Sequence, residues 1–283
     1  MKYGMPADEI GFSGNFIDRV DQLPETCAML GIDHVLLNTP VKDDGSADVD
    51  ALVALKEAVV KTGVNPYAGW KFFGMPNEGD FTDPAVREKT KAAFINQIRA
   101  YGKAGLSPMT VFSGVKPGDD VEAAWCLSTD FLKELVAEAE NAGIVLALHN
   151  LNDTMSCFNR AATFERLFEE IPSKALAICY DAAIHTKLGD DVPATMKKFY
   201  EMGRMPLMHI RTVENPIPPK DFDAVEGKLV PAEASQFPVD FKAIMKTLMD
   251  IDYQGIVGIE HQKKMEEWCL SIGYVKGVVA GIG

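Results

Sequence analysis

Short apolar runs alternate along this chain with longer stretches in which apolar residues recur at helical spacing. The runs cover 2–7 (KYGMPA), 34–40 (HVLLNTP), 64–70 (VNPYAGW), 109–114 (MTVFSG), 144–150 (IVLALHN), 175–181 (ALAICYD), 206–213 (PLMHIRTV) and 255–261 (GIVGIEH). Continuous apolar positions, as in Ile144 to Leu148, mark strands buried on both faces. Between the runs lie predicted helices. The stretch 48–63 ends at a glycine, 83–105 is similar, and 128–143 opens on Ser128-Thr129-Asp130 and closes at Gly143. Shorter helical patterns follow the later runs. Strand–helix alternation predicts parallel pairing through right-handed crossovers. Eight such units in 283 residues predict an α/β fold, a closed (β/α)8 barrel forming one domain over residues 1–283. An open doubly wound sheet would need a glycine-rich phosphate turn after the first strand, and GMPADEIGFSGNF has no GxGxxG. The proline-rich segment 214–236 follows the seventh run and is expected to lie as a loop near the barrel mouth.

Composition narrows the function classes. Net charge is −13 and no basic run exists, which argues against a nucleic-acid partner. No stretch of 18 apolar residues is present, and the N-terminus lacks the apolar core of a signal peptide, so neither a membrane span nor a leader is expected. The five cysteines are widely spaced with no CxxC, as in a reduced cytoplasmic chain.

Barrel active sites lie at the C-terminal ends of the strands. Only five histidines occur, and four fall near that end of one half of the barrel. His149 ends the fifth run, His185 follows the sixth, His209 lies late in the seventh and His261 ends the eighth. His34 begins the second run, at the opposite end, and is expected to be structural. Asp181 ends the sixth run and Glu260 lies in the eighth, where a carboxylate in an otherwise buried strand needs a partner or a metal. A lone strand-end histidine is more often a satisfied core residue. Together, however, His149, Asp181, His209 and Glu260 make a mixed nitrogen–oxygen set suited to a divalent cation. Alternation puts Cys179 and Asp181 on one face, His209 and Arg211 on one face, and Glu260 and His261 on opposite faces. Glu260 is therefore the expected ligand of that last pair. Cys179 is left as packed core or a substitute ligand.

At LALHN, CYDAAIH, MHIRTVE and GIEHQ the chain resembles the xylose isomerase-like barrels, a group that includes sugar-phosphate epimerases and mannonate dehydratases. The resemblance follows the strand order over nearly the whole chain. In the epimerases it implies a Glu, an Asp with a nearby His, a His and a second Glu on successive strand ends. Asp181 with His185, His209 and Glu260 match that pattern, and His149 stands where the first Glu would be. The mannonate dehydratases resemble this chain at His149 with its acidic turn (HNLND), at Cys179 and at HIRT. They carry Asp-His where this chain has Glu260-His261.

The resemblance implies proton abstraction beside a carbonyl or carboxylate, with Glu260 and His185 as catalytic residues. Arg211, Lys71 and Lys116 are candidates for holding a carboxylate or phosphate, and Trp70 for packing on a sugar. The expected cofactor is one divalent ion, Mn²⁺ first, with Zn²⁺, Co²⁺, Fe²⁺ or Mg²⁺ as alternatives. The leading expectation is a metal-dependent sugar isomerase or epimerase. A sugar-acid dehydratase is the alternative, and a non-catalytic sugar-binding barrel a third. A repair endonuclease would need more histidine ligands than five. The expected partner is a small sugar or sugar acid, with a homo-oligomer left open.

Overall fold

The computed structural model describes residues 1–42, 46–75, 79–115, 120–211, 222–225, 228–231, 239–259 and 265–282. Strands β1 (Lys2–Pro6), β2 (His34–Leu37), β3 (Asn65–Ala68), β4 (Trp70–Phe73), β5 (Met109–Ser113), β6 (Leu146–His149), β7 (Leu176–Asp181) and β8 (Leu207–Ile210) follow the first seven apolar runs. The short pair β9 (Phe222–Val225) and β10 (Lys228–Pro231) follows, then β11 (Ile256–Ile259). Nine parallel strands form one nearly closed barrel in the order β3-β2-β1-β11-β8-β7-β6-β5-β4. The two ends of that order, β3 and β4, are separated only by Gly69, whose carbonyl accepts from Thr110 N–H at 3.1 Å. The third predicted strand is thus one barrel position broken at a glycine. A Cβ at Gly69 would lie 2.4 Å from Tyr101 Oη and 2.5 Å from Asn38 Oδ1, so no side chain fits there. The strand also runs past its expected end, taking in Lys71, Phe72 and Phe73.

After two 3-10 helices (Asp8–Ile10 and Ile17–Gln22), helices α1 (Leu23–Leu30), α2 (Val49–Lys61), α3 (Pro84–Ala104), α4 (Val121–Ala142), α5 (Ala161–Glu170), α6 (Ala182–Leu188), α7 (Val192–Glu201), α8 (Phe241–Asp250) and α9 (Met265–Ala280) complete the described elements. Six of them open on an aspartate whose carboxylate accepts a first-turn N–H: Asp48, Asp83, Asp120, Asp181, Asp191 and Asp240. Part of the acidic surplus is therefore capping chemistry. α4 starts at Val121, ahead of the expected start at Ser128. Ser128 and Thr129 are not caps. Their hydroxyls donate back to Ala124 O and Trp125 O at 2.8 and 2.9 Å, which satisfies them inside a helix. The segment expected as a loop after the seventh run contains β9 and β10, paired antiparallel.

Two apolar clusters divide the interior. The larger packs strands against helices, and the smaller fills the barrel with Leu36, Tyr67, Ala147, Cys179, Leu207 and Ile256, with Trp70 against it. Cys179 therefore points inward. No helix among the described residues is long and apolar enough to cross a membrane.

Candidate metal centre and its surroundings

Register places the site. Phe112 of β5 pairs with His149 of β6, and His149 pairs with Cys179 of β7. Asp181 pairs with His209 of β8, and His209 with Gly258 of β11. A potential donor atom from each of His149, Cys179 and His209 lies within 4.8 Å of the others, and all three residues are buried. The His149 and His209 rings are 5.0 Å apart between centroids. His149 also stacks on Phe112, at 4.6 Å and 28°. Gly258 clears space for His209, since a Cβ there would stand 2.9 Å from Cδ2 of its ring. Two imidazoles and a thiol are a donor set that binds borderline divalent metals as thiolate and neutral imidazole. The residues present fit such an ion.

Asp181, expected beside them, is on the inner face and fully buried. One carboxylate oxygen accepts from Ala183 and Ile184 N–H at 2.9 and 3.2 Å, capping α6. The other accepts from Arg211 Nε at 2.6 Å and lies 3.7 Å from His149 Nε2. Arg211 and His149 line a cavity of about 300 Å³ that opens over the site. The rest of its lining is mostly apolar, with Trp70, Phe72, Phe112 and Met155, and includes Glu9. Phe72 stacks on Phe112 at 4.7 Å, so Phe72, Phe112 and His149 form a column of rings ending at the donor cluster.

The other expected residues separate. Lys71 alternates outward from Trp70 and Phe72, and its ammonium lies 5.5 Å over the Phe94 ring of α3. His185 stacks on Tyr180 at 4.2 Å and 17°, and its Nδ1 lies 2.6 Å from Asp190 Oδ2. Tyr180 points away from the Cys179–Asp181 face, and its hydroxyl meets Thr195 Oγ1 of α7 at 2.6 Å. Burial drives the Tyr180 phenol far above its usual range. His185 therefore sits behind β7, among helices. Burial works to raise the Asp190 carboxyl, but hydrogen bonds from His185 and Ala161 N–H together hold it below its usual value. Glu260 and Lys116 lie outside the described residues. Asn150, outside the expected site residues, bonds both main-chain groups of Asp181 through its carboxamide. The one available signal was its place directly after His149.

Comparison with known proteins agrees with this architecture. A curated mannonate dehydratase from Geobacillus thermodenitrificans (strain NG80-2) is 26% identical over 139 residues, 46% of this chain and 36% of the dehydratase. The matched stretch thus spans only about a third of that enzyme. A solved L-ribulose 3-epimerase superposes with a TM-score of 0.72 at 16% identity, over 100% of this chain and 96% of the epimerase. Mannonate dehydratase from Streptococcus suis serotype 2 gives a TM-score of 0.71 at 17% identity, over 100% and 93%. Both likenesses are of fold. The family model described as xylose isomerase-like TIM barrel matches residues 25–272, and this chain belongs to that family.

Proposed function

We propose that this chain is a divalent-metal-dependent enzyme that removes water from a sugar acid after taking the proton next to its carboxylate. The observation that carries the reading is the His149–Cys179–His209 cluster, whose His149 lines one cavity with Arg211. The ion these donors would hold supplies a Lewis acid for a substrate oxygen. The thiol favours Fe²⁺, Co²⁺ or Zn²⁺ over Mg²⁺ and weakens the case for Mn²⁺.

The chain's own residues divide the remaining work. Arg211 presents a planar cation matched to a carboxylate, a demand that an acid makes and a neutral keto sugar does not. Trp70 and Phe72 cover the apolar face of the substrate and keep bulk water out. Glu260, next in sequence after the last residue of β11, is the proposed acceptor of the carbon-bound proton. In balance, the proton leaves one carbon for the base, and hydroxide leaves the neighbouring carbon with a second proton as water. An enol remains and becomes a keto acid. Epimerisation instead requires a second acid on the opposite face to return the proton. Among the described residues the buried carboxylate beside the donor cluster is Asp181, already paired with Arg211, and Glu9 lines the same cavity from an exposed position. The similarity to a mannonate dehydratase over part of the chain supports the same choice. The catalytic unit proposed is the whole of residues 1–283, acting in the cytoplasm on a small acid.

The test is incubation of metal-loaded protein with a panel of aldonic acids and keto sugars in deuterated water. The expected result is a deoxy keto acid formed from an acid. A keto sugar that takes up deuterium and changes configuration, with no acid dehydrated, replaces this reading with epimerisation. Binding of sugars without exchange or turnover would make the barrel a non-catalytic receptor.

A further inference from the structure

Asp181 is committed through both carboxylate oxygens and both main-chain groups. Its two carboxylate oxygens are shared between the N-terminus of α6 and Arg211. Its main chain is clamped as well. Asp181 N–H donates to Asn150 Oδ1 at 2.7 Å, and Asn150 Nδ2 donates to Asp181 O at 3.1 Å. The β6–β7 ladder ends with His149 opposite Cys179, and Asn150 is fully buried. Its carboxamide therefore makes one more rung where the backbone of β6 has left the sheet.

From this we infer that Asp181 is a positioning residue for Arg211 and not a metal ligand, and that Asn150, Asp181 and Arg211 together build a receptor for a substrate carboxylate. The ligand class rests on the sugar-acid reading above. The anchoring role rests on the distances alone. A cation drawn to Oδ2 would compete with the 2.6 Å pair to a guanidinium whose side chain is only 12% exposed. The donor cluster also assembles without this carboxylate. A guanidinium carries five N–H donors in one plane, and holding it at Nε fixes the orientation of that plane. Arg211 lines the cavity in that fixed orientation, beside His149. The Asp181 oxygen 3.7 Å from His149 Nε2 links the receptor to the donor cluster and sets the imidazole's surroundings. A carboxylate gripped by Arg211 would be held next to the metal donors, which is the geometry that activation of the adjacent carbon demands.

The experiment uses the full chain with Co²⁺ as the metal probe, D-gluconate as the carboxylate probe and sorbitol as its neutral counterpart. Cobalt is followed by equilibrium dialysis and by the near-ultraviolet thiolate-to-cobalt band. Asp181→Asn should keep the band and lose no more than about tenfold in cobalt affinity, as removal of a group beside a ligand does, while losing roughly tenfold or more in gluconate affinity. Arg211→Lys should show the same gluconate loss. Cys179→Ser should lose the band. Asn150→Ala, which leaves the carboxylate in place, should keep cobalt and lose part of the preference for gluconate over sorbitol. It also keeps the test decisive should Asp181→Asn misfold. Loss of cobalt by Asp181→Asn on the scale of Cys179→Ser would make Asp181 a ligand and overturn the inference. So would gluconate binding that Asp181→Asn leaves unchanged. Wild-type protein that binds cobalt but treats gluconate and sorbitol alike overturns the receptor and leaves the metal centre standing. Wild-type protein that binds no cobalt removes the metal centre, and gluconate titration of the metal-free variants then decides the receptor by itself.

Discussion

The two faces of β7 carry nearly the same residue types to different ends. On the inner face Cys179 and Asp181 meet His149, His209 and Arg211 under an open cavity. On the outer face Tyr180 meets His185 and Thr195, and His185 meets Asp190, between helices α6 and α7. Each side has a buried histidine and an aspartate. The inner histidines stand with a thiol and an arginine beside space for a ligand. The outer histidine is stacked on a tyrosine, and its aspartate also caps the first N–H of α5 at 3.0 Å. A histidine–aspartate pair is therefore not diagnostic of chemistry. What separates the two is which side of the strand faces a cavity.

The two faces should differ most in metal affinity. Cys179→Ser and His209→Ala should each lose more than about 100-fold in cobalt affinity, beyond the usual cost of removing a group that only supports a ligand. His185→Gln should stay within about twofold by the same dialysis. If His185→Gln keeps its cobalt yet loses deuterium exchange, the outer histidine takes part in chemistry and the comparison collapses. Next in size is Gly258→Ala, whose new Cβ would meet the His209 ring at 2.9 Å. It should cost about 10-fold to 100-fold in cobalt affinity with little change in urea midpoint.

The outer face should answer in stability. Tyr180→Ala removes a fully buried ring and should cost about 3–5 kcal/mol in urea unfolding, in line with other large aromatic truncations. A smaller effect is expected from Asp190→Asn, and it depends on pH. The folded Asp190 carboxyl lies below its usual 3.8, so its stabilisation is present above that value and is lost as pH falls through the lower folded one. Wild type should therefore weaken more steeply than Asp190→Asn as pH drops below about 4, by thermal melts at spaced pH values. The smallest signal is thiol labelling at pH 8. Exposed Cys126 and Cys269 should react first. Cys27 and Cys157, whose thiols burial pushes up to about 11, should react slowly whether or not cobalt is bound. Cobalt should protect Cys179 alone.

Much of the site is legible in the sequence. Alternation placed Cys179 with Asp181, and His209 with Arg211, on shared faces, because a strand has period two whatever surrounds it. The same rule, applied to a strand that continues through Phe73, sends Lys71 outward and Trp70 and Phe72 inward. That continuation was invisible, since Gly69 reads as a strand end unless one knows that Tyr101 and Asn38 crowd it. The start of α4 was misplaced because Ser128-Thr129-Asp130 has the composition of a cap, and only the carbonyls of Ala124 and Trp125 reveal its hydroxyls as internal. The orientation of His185 was also out of reach. It depends on the angle at which the short α6 leaves β7, and that angle is set by the packing of α7 and Asp190.

What the sequence determined alone was the order of elements, the barrel and the strand ends at which His149, Cys179, Asp181 and His209 appear. Hydrophobic periodicity and chain connectivity are local properties and are written residue by residue. The tertiary structure decided which of those groups touch. Asp181 meets Arg211 across 30 positions of sequence, and His149 meets Cys179 and His209 only because barrel register brings their strands level. A carboxylate becomes a ligand, a helix cap or an anchor according to the partners that approach it in space, and no spacing along the chain encodes that approach.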